Sequence, residues 1–146
     1  MRHGFGLPQV LLIILFVGGI VTVTMRYASL GAQHYADSYT REQAELFLQS
    51  ATEAALMRIS AYDRSGGSCL GNLTVRSSDN KFDANITIER YYLADGSMCN
   101  NGVAYTPIQS EESHGMVSMR VIVTSDNTNA KILHPIQLER RSLQRP

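Results

Sequence analysis

The sequence predicts an α+β fold: one long N-terminal helix followed by a small antiparallel sheet. Three observations carry that expectation. Residues 5–25 form an uncharged apolar run. Apolar residues then recur at steps of three and four as far as Tyr62. After Leu70 the period changes to two, the alternation of a half-buried strand. With 146 residues, the chain has room for one modest domain plus appendages.

Phe5 to Met25 is 21 residues without a charge. As a helix it would be roughly 32 Å long, against a bilayer hydrocarbon core of about 30 Å. A buried core helix of that length would need more apolar mass than the remaining chain supplies. A membrane span is therefore expected. Arg2 lies before the run and Arg26 and Arg41 after it, so positive charge alone does not set its orientation.

Pro8 sits close to the start of this run. The first four N–H groups of a helix have no intrahelical partner. If the helix starts at Phe5, Pro8 removes no hydrogen bond, and the carbonyl its ring would crowd belongs to Gly4, outside the helix. The sequence thus expects the helix to end physically at Phe5.

Polarity rises after Met25, but the helical pattern continues. Ala44, Phe47, Leu48, Ala51, Ala55, Ile59 and Tyr62 make an amphipathic stripe. Gly31 is a candidate kink or break, and Asp37, Ser38 and Thr40 are candidate caps for a second helix start. The series Asp63-Arg64-Ser65-Gly66-Gly67 stops the helix. A continuous helix from Phe5 to Tyr62 would span roughly 87 Å.

Leu73 and Val75 begin a short strand, and Ser78-Asp79-Asn80 reads as a turn. Phe82, Ala84, Ile86 and Ile88 alternate with polar residues, and this strand continues through Tyr91-Tyr92-Leu93. Asp95-Gly96 is a hairpin signal. Val117, Met119, Val121 and Val123 alternate again, with turn residues at Asp126-Asn127. The last alternation is Ile132, His134, Ile136 and Leu138, ahead of a basic tail from Arg140. Pro135 puts that strand at an edge or interrupts it.

Cys69 and Cys99 are the two cysteines. A disulfide is expected if the domain lies outside the cytoplasm; two free thiols are the alternative in a reducing compartment. The bond would close a loop of about 31 residues, worth roughly 3.7 kcal/mol in the chain-entropy model. A metal site is not expected, because neither a CxxC spacing nor a nearby histidine is present. Asp79, Asn80, Asp83 and Asn85 offer oxygen ligands, but their spacing fits no defined calcium loop. No cofactor is implied.

Charge excludes little but nucleic acid. Thirteen basic and thirteen acidic residues balance to a formal charge of +0, so no basic excess points to nucleic-acid binding. No nucleophile turn, phosphate-binding glycine loop or metalloprotease helix motif occurs, so an enzyme is not expected. Asn72-Leu73-Thr74 and Asn85-Ile86-Thr87 match glycosylation acceptors but lie in strand-like runs, where chance matches are the default reading.

Arg2-His3-Gly4, then Phe5, Leu7 and the hydrophobic stem Leu11–Val17, resemble a type IV prepilin. The resemblance implies a leader of residues 1–4, cleavage by a prepilin peptidase between Gly4 and Phe5, and N-methylation of Phe5. It implies a transmembrane helix over 5–25, a periplasmic amphipathic helix over 26–64 and an antiparallel β domain over 65–146. It further implies a single-pass protein of the bacterial inner membrane with its C-terminal domain in the periplasm. The partners would be other pilin-like subunits and the assembly platform of a secretion, pilus or DNA-uptake machine.

One position departs from the family pattern. Most members carry glutamate at the fifth mature position, where Gln9 stands here. That carboxylate is thought to pair with a neighbouring subunit's N-terminus, and a buried charge is expensive unless paired. Gln9 accepts a hydrogen bond but cannot neutralise an amine. Minor subunits, including a tip-located pseudopilin of type II secretion, also lack this glutamate, so Gln9 leans toward a minor or initiating subunit. It also reads as a tolerated polar residue at the headgroups. Gly18 and Gly19 mark a flexible point in the stem, or simply the glycine common in membrane helices. Two other readings stand beside the pilin-like one. The first is a single-pass anchored protein with a periplasmic binding domain that does not polymerise. The second is a secreted protein whose signal is removed near Ala32.

Overall fold

The computed structural model of the chain describes residues 6–94, 99–108, 115–126 and 134–146. Gly4, Phe5 and the Asp95-Gly96 turn signal lie outside the described residues, as does Ile132. The element order is one helix, α1 (Leu7–Ser60), then five strands: β1 (Asn72–Arg76), β2 (Phe82–Ala94), β3 (Tyr105–Ile108), β4 (Met116–Ser125) and β5 (Gln137–Gln144). This is the expected α+β arrangement.

The chain divides into two compact units, residues 1–39 and 40–146. Among the described residues, the first unit is helix from Leu7 onward. Pro8 occupies its second helical position, where its missing N–H is one of the unpartnered donors. α1 runs as one element past Gly31, Asp37, Ser38 and Thr40, so a break at Gly31 and a second helix start are absent. A single glycine costs a helix only about 1 kcal/mol, and a possible cap does not stop a helix whose neighbours all favour continuing.

The second unit is a helix laid on a sheet. Ala44, Leu48, Ala51, Ala55 and Ile59 are buried on one face of α1. They share a core with Phe82, Ala84, Ile86 and Ile88 of β2 and Val117, Met119, Val121 and Val123 of β4. The small alanines let the helix sit close to the sheet, and Phe47 stacks on Phe82 at 6.1 Å. This two-layer packing buries the apolar face of each element.

The sheet order is β1-β2-β4-β5, with β3 also against β2. The β1–β2, β2–β4 and β4–β5 pairs are antiparallel. In β2 the buried positions shift from even to odd between Ile88 and Tyr91, across a bulge. Such a bulge inserts one residue and re-aims those that follow. The β1–β2 turn is organised by Ser77, whose Oγ accepts from the N–H groups of Lys81 and Phe82 at 3.0 Å each. Asn80 takes the left-handed conformation that turn requires.

Two expectations for the sheet are corrected. The strand after Asp95-Gly96 does not return as a hairpin partner: β3 pairs parallel to β2, Tyr91 opposite Tyr105. The last strand begins at Gln137, after Pro135, and takes in the supposed basic tail. Its half-buried positions Leu138, Ser142 and Gln144 sit opposite Val123, Met119 and Val117, and the exposed Arg140 opposite Val121. An edge strand of this kind can carry polar residues on both faces, so hydrophobic alternation does not mark it.

Candidate functional site

The feature that separates the chain from an ordinary small domain is the bare apolar stretch of α1. Its 18-residue window has a mean hydropathy of 2.3, with no residue buried. Leu15 and Phe16 are 77% and 69% exposed, values a water-facing helix does not sustain with so many neighbours alike. α1 is long and apolar enough to cross a membrane.

Gln9 lies exposed in the first turns, its N–H donating to the carbonyl of Gly6 at 2.9 Å. Gly18 and Gly19 are exposed as well, and a Cβ at either would meet nothing within 4 Å. The Thr22 hydroxyl donates to the carbonyl of Gly18 at 2.7 Å, satisfying a polar group that lipid would not. The helix itself does not bend at this pair of glycines into a separate element.

Cys69 and Cys99 are bonded, with Cα atoms 5.3 Å apart. The bridge joins the loop after α1 to the segment that carries the chain back toward β3. Asn101 clamps the same junction: its Nδ2 donates to the carbonyl of Cys69 at 2.6 Å, and its Oδ1 accepts from the Cys69 N–H at 3.2 Å. The backbone at Gly67 favours glycine. It has φ +73° and a Cβ on it would fall 2.6 Å from Asn100 Nδ2.

Tyr91 completes this end of the core. It is 2% exposed, and its hydroxyl donates to the carbonyl of Leu70 at 2.9 Å. Burial pushes its pKa up to about 12. The Arg64 guanidinium stands 6.0 Å from its ring centre.

The carboxylates weighed as calcium ligands have protein partners. Asp83 takes two hydrogen bonds from Arg76, at 2.6 and 2.9 Å. Asp79 accepts from the Ser77 hydroxyl at 2.7 Å and pairs with Lys81 Nζ at 3.2 Å. The Ser77 bond is the larger cause that holds its carboxyl below the usual range. Among the described residues, no three His, Cys, Asp or Glu side chains come together as a metal site would need.

Sequence reasoning missed the charged outer face of the sheet. Arg120 and Arg141 are direct cross-strand neighbours on β4 and β5, a like-charge arrangement that is unfavourable alone. Glu89 stands between them, 3.2 Å from Arg141 Nη2 and 3.7 Å from Arg120 Nε. The second distance is an ion pair rather than a hydrogen bond. The missing signal was the register, which a sequence without strand pairing does not contain.

No family model, curated protein or solved structure matches this chain.

Proposed function

We propose that this chain is a minor pilin-like subunit that assembles through its N-terminal helix into a periplasmic pseudopilus or type IV pilus. The observation that carries the reading is the single helix α1. Its first part is uncharged and bare, and its last part is the core of a small α+β domain. A bare apolar helix needs lipid or other helices around it. The Arg2-His3-Gly4-Phe5 junction adds the chemistry of leader removal and Phe5 methylation.

Two further observations support the reading. The disulfide suits a domain in an oxidising compartment outside the cytoplasm. Gln9 places a neutral acceptor where the bulk subunits of such filaments carry a charge, which suits a minor or initiating subunit. Function then lies in helix packing and partner choice, with no chemistry performed by the chain. The reading as a non-polymerising single-pass anchor draws on Gln9 too, since a glutamine cannot neutralise a neighbour's amine.

The direct test is co-expression of the full chain with a prepilin peptidase. Loss of four residues and gain of one methyl group, both abolished by Gly4→Glu, are the expected results. A chain that keeps Met1 in the presence of active peptidase would leave only the anchor reading.

A further inference from the structure

β1 is an edge strand, and its pairing fixes which backbone groups it leaves free. The Ile88 N–H donates to the carbonyl of Gly71 at 2.8 Å, and the Ser77 N–H to the carbonyl of Phe82 at 2.9 Å. Both pairs extend the β1–β2 register at its two ends. Bonded and unbonded pairs alternate along an antiparallel ladder. Leu73 and Val75 therefore turn their N–H and C=O groups to β2. Asn72, Thr74 and Arg76 turn theirs outward, and no other described strand pairs with β1.

The same alternation fixes the side chains. Leu73 and Val75 stand opposite Ile86 and Ala84, whose side chains face the core under α1. Between these two residues and Ala54, Met57 and Ala61 of α1 lies an open groove of about 640 Å³. Met57 is 71% exposed beside it. Two cations flank the groove. Arg76 is held by both oxygens of Asp83, whereas Arg58 is exposed and makes no ion pair with the described residues.

An edge strand beside an apolar groove accepts an extended chain, which pairs with the free backbone and drops alternate side chains inward. The sheet's other free edge, β5, is a poor candidate for that chain in a second copy. Its Arg141 is held by Glu89 and Glu139, but Arg140 is exposed, has no ion pair with the described residues and would bring a second cation to Arg58.

We infer that β1 and the C-terminal end of α1 form a docking groove for an extended acidic segment of a different protein, added as a strand beside β1. Apolar side chains at alternate positions of that segment fill the space between Leu73, Val75 and Met57, and a carboxylate meets Arg58. The groove is lined by residues 54–76, and the inference does not rest on the membrane or filament reading.

The test uses the isotope-labelled full chain in detergent micelles. The probe is an end-blocked octapeptide of alternating valine and threonine carrying one glutamate, with its lysine counterpart as control. The amide signals of Asn72, Thr74 and Arg76 should shift and their hydrogen exchange should slow. The lysine peptide should bind about fivefold more weakly, and Arg58→Glu should reverse that preference. Thr74→Pro removes an outward N–H without touching the ladder, a change an edge strand tolerates. It should weaken binding by about tenfold while the core signals stay in place. Unmoved β1 amides at millimolar peptide, shifts centred on β5, or equal affinity for the two peptides would overturn the inference.

Discussion

The two parts of α1 share one secondary structure and differ in what sustains it. Residues 40–60 place Ala44, Leu48, Ala51, Ala55 and Ile59 against the sheet. Residues 7–25 bury nothing. In the first case tertiary packing supplies the stability. In the second the helix satisfies its own backbone, and the surroundings must accept its side chains. Helical periodicity shows both; only the charge pattern tells them apart, with no charge from Leu7 to Met25 and six charged residues from Asp37 to Arg58.

Substitution on matched apolar positions gives the largest contrast. Ile59→Ala should destabilise the domain by about 2–5 kcal/mol, because Ile59 is fully buried and leaves a cavity. Leu15→Ala, at an exposed position, should leave the same denaturant midpoint unchanged in detergent. A loss of midpoint with Leu15→Ala would mean that the bare stretch is packed after all. The reverse contrast is expected for Ile14→Lys, which should deplete the chain from the membrane fraction at about 2.5–3.5 kcal/mol for a charge at mid-span.

Removing the disulfide is next in size. Cys69→Ala with Cys99→Ala should lower stability by roughly 3.7 kcal/mol through the freed unfolded chain, measured by chemical denaturation. The helical signal of residues 7–25 should be unaffected, which separates the two parts again. Glu89→Gln should follow, at about 1 kcal/mol, because Arg120 and Arg141 would then face each other without the intervening carboxylate.

The smallest effect concerns Tyr91. Tyr91→Phe should lose about 1 kcal/mol with its hydrogen bond to Leu70. The folded state raises the pKa of Tyr91 to about 12 from an ordinary value of 10.0. The folded protein thus keeps a proton that the unfolded chain releases. Its contribution is complete below pH 10 and is lost as pH rises toward 12. Melting temperature followed across that window should fall more steeply for the natural chain than for Tyr91→Phe.

The legible parts of the fold were those where one face is buried and the other wet. Phe82–Ile88 and Val117–Val123 alternate because the helix covers one side of β2 and β4 only. β3 was illegible because it is four residues long, includes Pro107, and owes its place to a parallel pairing set by the returning loop. β5 was displaced because its polar residues sit at an edge, where pairing needs backbone rather than side chains. Of the site, the apolar run and the two cysteines could be read directly. The β1 groove could not, since Met57, Arg58, Leu73 and Arg76 meet only through the tertiary fold.

The measurement that bears most directly on the account is the N-terminal residue of the protein isolated from membranes of its own cells, by intact mass and terminal peptide sequencing. The account predicts a chain that begins at methylated Phe5. A chain that begins at Met1, or near Ala32, would contradict it.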